Sequence, residues 1–159
     1  EKGVPAKLVV AGAFASDDYA RMILPRLEAH PAVILRGGSS EAEFRLLLSA
    51  ADVCVNLKYP GAGESSGIAV RAMALGVPLV VSESTGGDGC PPGAAVPIRT
   101  GPAEAASLAE SLLWLAWDAS ARIAVARAAR EDCLARRDPD RICEELWWWM
   151  KEIRSVAIR

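Results

Sequence analysis

The sequence of 159 residues is poor in metal-binding and cross-linking side chains. It has one histidine, His30, and four cysteines, Cys54, Cys90, Cys133 and Cys143, none of them in a CxxC pair. Zinc sites use clustered Cys and His ligands, so we expect no metal site. Disulfides are also unexpected, because Cys54 falls in an apolar run and the composition is typical of a cytosolic protein. We expect buried or half-buried thiols and a histidine at the surface.

The chain also lacks a charge excess and a long apolar run. Lys and Arg total 18 against 20 Asp and Glu, a net charge of −2, which argues against nucleic-acid binding by phosphate neutralisation. No stretch approaches the ~18 apolar residues of a membrane span. Any peripheral membrane association would come through a part of the protein outside this sequence. The first residues resemble no signal peptide and include no initiator Met, so we expect a piece of a longer cytoplasmic chain.

What is present is the composition and pattern of one α/β domain over residues 1–159, with 52% hydrophobic residues. Short apolar runs predict strands at 7–11, 32–36, 52–56, 77–81 and 95–98. Helical patterns follow Ser16, follow Ser39 or Ser40, and cover 67–75, 103–117, 119–136 and 139–153. Alternating strands and helices predict a doubly wound, Rossmann-like parallel sheet of about five to six strands with a helical C-terminal tail.

The loop after the third predicted strand carries most of the chemistry. Parallel sheets of this kind bind ligands at the carboxyl ends of their strands. Gly63 and Gly67 frame the start of a helix, whose free N–H groups suit a phosphate oxygen. Glu64 repels phosphate and is better suited to accept hydrogen bonds from a neutral polyol. The loop therefore indicates a nucleotide sugar or sugar phosphate; the alternative is an ordinary strand-to-helix loop capped by Ser66.

Residues 50–82 resemble a known family. Ala50-Ala-Asp-Val53, a Glu-containing loop, and Ala72-Met-Ala-Leu-Gly-Val-Pro-Leu-Val-Val-Ser82 are similar to the C-terminal donor-binding domain of group 1 (family 4) glycosyltransferases. The resemblance extends over about residues 7–150. It implies a GT-B fold of two Rossmann-like domains, retaining transfer of a sugar from a nucleotide diphosphate to an acceptor alcohol, and no metal or other cofactor. A sugar-nucleotide epimerase half-domain and a non-catalytic, partner-binding Rossmann-like module are the alternatives.

The resemblance assigns roles at the start of the third predicted helix. Glu64 matches the catalytic glutamate that contacts the transferred sugar, and Ser65, Ser66 and Gly67 fall where the diphosphate or sugar is held. The family's second glutamate, which holds the ribose hydroxyls, is replaced by Arg71. A guanidinium has no acceptor, so ribose recognition cannot follow the family pattern. Arg71 would instead pair with Glu64 or with a phosphate.

Further donor-binding candidates are Gly12, Lys58, Tyr59, Ile68 and Glu83. Gly12 lies where the first strand must turn sharply, and Glu83 lies just past the fourth strand. Lys58 would neutralise a phosphate or remain a solvated loop lysine. Tyr59 would stack on a base or sugar or pack within the loop.

The sequence Trp147-Trp148-Trp149 is unusual for a helix at the end of a domain. Consecutive helical positions point about 100° apart, so one domain face cannot bury all three indoles. We therefore expect at least one exposed indole, covered in the whole enzyme by its N-terminal domain.

Overall fold

The computed structural model describes residues 3–58, 66–83 and 89–156. The chain divides into two compact units, Glu1–Ala50 and Ala51–Arg159. The prediction of one domain over residues 1–159 stays a prediction.

The first unit is a βαβα segment. Its elements are β1 (Leu8–Ala11), α1 (Asp17–Glu28), β2 (Val33–Arg36) and α2 (Glu41–Ser49). The two strands pair in parallel. Ser16 caps α1 by accepting from the Tyr19 N–H, and Ser40 and Glu43 form a reciprocal capping box at α2. Both helices therefore begin where the side-chain signals predict.

The second unit contains a three-stranded parallel sheet and four helices. Its elements are β3 (Cys54–Asn56), α3 (Gly67–Leu75), β4 (Leu79–Ser82), β5 (Val96–Ile98), α4 (Glu104–Trp117), α5 (Ala119–Arg136) and α6 (Pro139–Val156). The strand order is β3-β4-β5, with every residue of the central strand β4 buried. Val80, Ile98 and Leu115 form a core cluster between sheet and helix. Gly76 ends α3 at φ 68°, a left-handed conformation that suits glycine.

The α/β class with parallel strands and a long C-terminal helix is confirmed. The expected burial of the first strand is wrong, since Leu8 and Val9 are 51% and 42% exposed. Within the described residues β1 has one neighbouring strand. A short apolar run in the sequence is the same for such a strand as for a buried central strand, so it could not predict this exposure. His30 is exposed, as expected.

The cysteines depart in one respect from the expectation. None of the four is in a disulfide in the described part of the chain, but Cys143 is exposed on α6 instead of buried or half-buried. In the segments described, no group of His, Cys, Asp and Glu side chains could hold a metal ion. No helix within them is long and apolar enough to cross a membrane.

Candidate functional site

Three buried polar side chains lie where β3 and β4 end and α3 begins. Asn56 ends β3, Ser82 ends β4 and Ser66 caps α3, with 7%, 1% and 2% exposure respectively. No other polar or charged residue is buried in the part of the chain that the structure describes. Burying polar groups is unfavourable unless they are hydrogen-bonded, so this edge of the sheet is built around specific polar contacts.

The first contact joins β3 to α3. Asn56 Nδ2 donates to Ser66 Oγ at 2.9 Å, and this hydrogen bond is buried. The same Oγ accepts from the Ala69 N–H at 3.3 Å, which is the helix cap. One hydroxyl therefore both starts α3 and holds its first turn against the end of β3.

The second contact joins β3 to β4 beyond the last ladder pair. The Lys58 N–H donates to Ser82 Oγ at 2.8 Å. This bond fixes the half-buried Lys58 at the carboxyl edge of the sheet, where sequence reasoning placed it.

Helix α3 begins beside a positively charged side chain. Its first turn contains no acidic residue, whereas α1 and α2 both have two. Arg71 Nη1 donates to the Gly67 carbonyl at 3.0 Å, so the exposed guanidinium lies beside the first helical residue. A Cβ on Gly67 would approach Arg71 Nη1 to 2.9 Å. The guanidinium charge adds to the partial positive charge of the helix start, an arrangement that suits an anion. Ile68 is exposed on the same turn.

An ion pair lies at the ends of β4 and β5. Glu83 directly follows β4, and its Oε2 is 3.5 Å from Nε of Arg99, which directly follows β5. Both side chains are exposed. Glu83 therefore stands at the carboxyl edge, as its position in the sequence predicted.

Gly12 belongs to the first unit. Its φ of 129° is a conformation that L side chains rarely adopt, and its N–H donates to the Arg36 carbonyl at 3.1 Å. The sharp turn expected after the first strand is therefore present, and it gives Gly12 a structural role.

Four predicted site residues, Tyr59, Gly63, Glu64 and Ser65, lie outside the described residues. Of the others, Lys58, Ser66 and Glu83 lie at the carboxyl edge of the β3–β4–β5 sheet, and Gly67, Ile68 and Arg71 lie in the first turns of α3. Their roles toward a ligand stay predictions.

Sequence reasoning missed three residues of this edge: Asn56, Ser82 and Arg99. The first two are polar residues that end apolar runs, a signal that a strand finishes at a polar cluster. Arg99 directly follows the fifth run, and the parallel arrangement alone would have placed it beside Glu83.

The thiol of Cys54, in β3, is a weak nucleophile at neutral pH. Burial raises the pKa of its thiol to about 11, so the thiol stays protonated at neutral pH.

The expected exposure of the tryptophans is confirmed. Trp147, Trp148 and Trp149 on α6 are 59%, 56% and 59% exposed. Trp148 and Trp149 meet edge to face, with ring centroids 5.2 Å apart. Lys151 Nζ lies 5.1 Å from the Trp147 ring centroid. These contacts are local to the helix, and each of the three side chains stays more than half exposed.

The fold is similar to that of part of two larger proteins of known structure. The chain is similar to HepE of Anabaena in its crystal structure with UDP-glucose, with 19% identity and a TM-score of 0.77 over 92% of this chain and 41% of HepE. The HepE structure with UDP gives a TM-score of 0.78. WaaG, a glycosyltransferase involved in lipopolysaccharide biosynthesis, is 21% identical, with a TM-score of 0.57 over 80% of this chain and 33% of WaaG.

The chain thus spans 41% of the length of HepE and 33% of WaaG. Neither a protein-family model nor a curated protein sequence matches it.

Proposed function

We propose that this chain is the nucleotide-sugar-binding domain of a glycosyltransferase, which moves a sugar from a nucleoside diphosphate to an acceptor alcohol with retention of configuration. The observation that carries the proposal is the start of α3 at the carboxyl edge of the sheet, where the Arg71 guanidinium lies beside Gly67. It occurs in a fold similar to that of HepE, whose structure was solved with UDP-glucose. A UDP-sugar is accordingly the first donor to test.

The diphosphate would lie at the first turn of α3. Ser65, Ser66 and Gly67 would offer it backbone N–H groups, while Lys58 and Arg71 would supply positive charge. The Asn56–Ser66 hydrogen bond holds this helix start against β3, so the N–H groups are preorganised. Glu64 would accept hydrogen bonds from the hydroxyls of the transferred sugar.

In the transfer step, the bond between the anomeric carbon and the diphosphate oxygen breaks, and its electron pair leaves with the diphosphate. The acceptor oxygen forms the new bond to that carbon and gives up its proton, which the leaving diphosphate oxygen accepts. Negative charge therefore develops on the diphosphate, where Lys58, Arg71 and the α3 start would stabilise it. Because these groups supply positive charge, we propose that the reaction requires no metal ion.

The three exposed tryptophans fit a contact with the N-terminal domain of the same enzyme, which we propose as the partner of α6. The cysteines form no disulfide within the described residues, which favours a cytoplasmic location. The same exposed indoles also favour a second candidate function, a non-catalytic module that binds a partner through α6.

A thermal-shift comparison of UDP-, GDP-, ADP- and dTDP-glucose tests the proposal, since a ligand that binds only the folded state raises Tm. We expect UDP-glucose to raise Tm and Arg71→Gln to reduce that increase. Arg127→Gln, which changes an exposed arginine on α5, serves as the matched control and should leave the increase intact. Absence of a shift with every donor would favour the partner-binding module.

A further inference from the structure

The parallel register places three charged residues in one row at the carboxyl edge. Asn56 pairs with Val81, so two residues further on Lys58 falls opposite Glu83. Ser82 pairs with Ile98, so one residue further on Glu83 falls opposite Arg99. The row therefore reads Lys, Glu, Arg across the ends of β3, β4 and β5, with the carboxylate in the middle.

Two contacts support this extension of the register beyond the ladders. The Lys58 N–H donates to Ser82 Oγ at 2.8 Å, which keeps β3 and β4 side by side past their last pair. Arg99 Nε lies 3.5 Å from Glu83 Oε2, and this ion pair links the residues that directly follow β4 and β5. Glu83 emerges from the fully buried central strand, so its backbone is better anchored than that of an ordinary surface residue.

Glu83 remains open to a ligand in this arrangement. Its side chain is 57% exposed, and a carboxylate has about four acceptor sites on its two oxygens. An ion pair through Oε2 leaves capacity for the two donors of a vicinal diol. Such a residue is unsuited to phosphate, which it repels, and suited to sugar or ribose hydroxyls.

We propose that Glu83 is a hydroxyl-binding residue of the nucleotide-sugar site and that Arg99 is the residue that positions its carboxylate, an inference that rests on the proposed function. The recognised chemistry is a vicinal diol, from either the ribose or the transferred sugar. Arg99 acts through Glu83 and contacts no ligand atom.

The direction in which Glu83→Gln changes ligand affinity distinguishes hydroxyl binding from simple charge repulsion. Removing the negative charge with Glu83→Gln should strengthen binding of any diphosphate if Glu83 only repels it. If Glu83 holds hydroxyls, the same change weakens UDP-glucose binding by about tenfold, the loss of a charge-assisted hydrogen bond. Arg99→Gln should weaken it by about threefold, as an exposed ion pair of this kind contributes little on its own.

The experiment is calorimetric titration of the 159-residue chain with UDP-glucose, UDP and 2′-deoxyuridine diphosphate. We expect Glu83→Gln to lower the affinity for UDP-glucose. We expect Arg99→Gln to cause no further loss of affinity when Glu83→Gln is already present. A loss confined to UDP-glucose assigns the transferred sugar. A loss also seen with UDP, and reduced with the deoxy ligand, assigns the ribose.

The matched control is the pair Arg127–Glu131 on α5, with Nε and Oε1 3.4 Å apart and both side chains exposed. Glu131→Gln and Arg127→Gln should leave all three affinities unchanged. Unchanged or stronger binding in Glu83→Gln, or an equal loss with all three ligands, overturns the role of Glu83. An Arg99→Gln loss that persists beside Glu83→Gln overturns positioning. If the unaltered chain binds none of the ligands, the proposed function itself fails, and the inference fails with it.

Discussion

Asn56 Nδ2 and Ser66 Oγ are 2.9 Å apart in a buried hydrogen bond that joins the carboxyl end of β3 to the first turn of α3. The two residues are ten positions apart in sequence, and Glu64 lies between them along the chain. This contact holds the end of β3 and the cap of α3 together. Any ligand at the α3 start therefore meets a helix whose position is set by the sheet.

Loss of this contact should destabilise the fold more than loss of a helix cap alone. Ser66→Ala removes the cap and leaves the buried Asn56 amide without this acceptor, for an expected loss of about 2–4 kcal/mol in the free energy of unfolding. Ser16→Ala removes the cap of α1, where Oγ accepts from the Tyr19 N–H at 3.2 Å, and should cost about 1 kcal/mol. Urea denaturation measures both. Equal losses in the two variants would contradict a special role for the Asn56 contact.

The tryptophans of α6 should contribute little to the stability of this chain. Each of Trp147, Trp148 and Trp149 is more than half exposed, so replacing them one at a time with Gln should change the free energy of unfolding by no more than about 0.5 kcal/mol. Leu115→Ala provides the contrast, because Leu115 is fully buried against Val80 and Ile98 and should cost about 2–5 kcal/mol. Denaturant titration compares the four variants. A loss at the tryptophans as large as at Leu115 would mean that α6 packs on this domain.

The local elements of this fold were predictable because their signals are local. Ser16 and the Ser40–Glu43 pair start their helices through contacts three residues away, and Gly76 ends α3 in a conformation that favours glycine. Burial was less predictable. The apolar runs of β1 and β4 look alike, yet within the described residues β4 pairs with a strand on each side and β1 pairs with one strand.

The site was partly predictable for the same reason. The α3 start could be recognised from its glycines and from Ser66, which lie together in sequence. The Asn56–Ser66 and Glu83–Arg99 contacts join residues that are distant along the chain, and only the strand register brings them together. Arg71 was expected to pair with Glu64 or a phosphate, and that pairing stays a prediction; the contact that the structure shows is with the Gly67 carbonyl.

Thiol reactivity should differ widely between Cys54 and Cys143. Burial raises the Cys54 pKa to about 11, so its thiolate fraction at pH 7 is about 10⁻⁴ and should rise about tenfold per pH unit up to about pH 10. Cys143 is exposed, so we expect it to be alkylated first at pH 7. Iodoacetamide labelling followed by peptide mass spectrometry measures both rates. Labelling of Cys54 as fast as Cys143 at pH 7 would contradict the burial of the β3 thiol.

In the whole enzyme, Glu64→Gln should lower turnover strongly. If Glu64 holds sugar hydroxyls through contacts that strengthen in the transition state, kcat should fall by about 10²-fold or more. Steady-state kinetics with UDP-glucose as donor measures the effect, and Glu131→Gln on α5 is the control for loss of a carboxylate elsewhere. Normal kinetics in a correctly folded Glu64→Gln enzyme would remove Glu64 from the site.

The most direct measurement for the central claim is a titration of the isotopically labelled chain with UDP-glucose, followed by amide chemical shifts. If the donor binds at the α3 start, the first and largest shifts should fall at residues 63–68, whose N–H groups would lie closest to the diphosphate, and at Lys58, whose side chain would neutralise it. Amides in the middle of α6, such as those of Glu145 and Met150, should stay unchanged. Shifts confined to other loops, or none at saturating ligand, would contradict a nucleotide-sugar site in this domain.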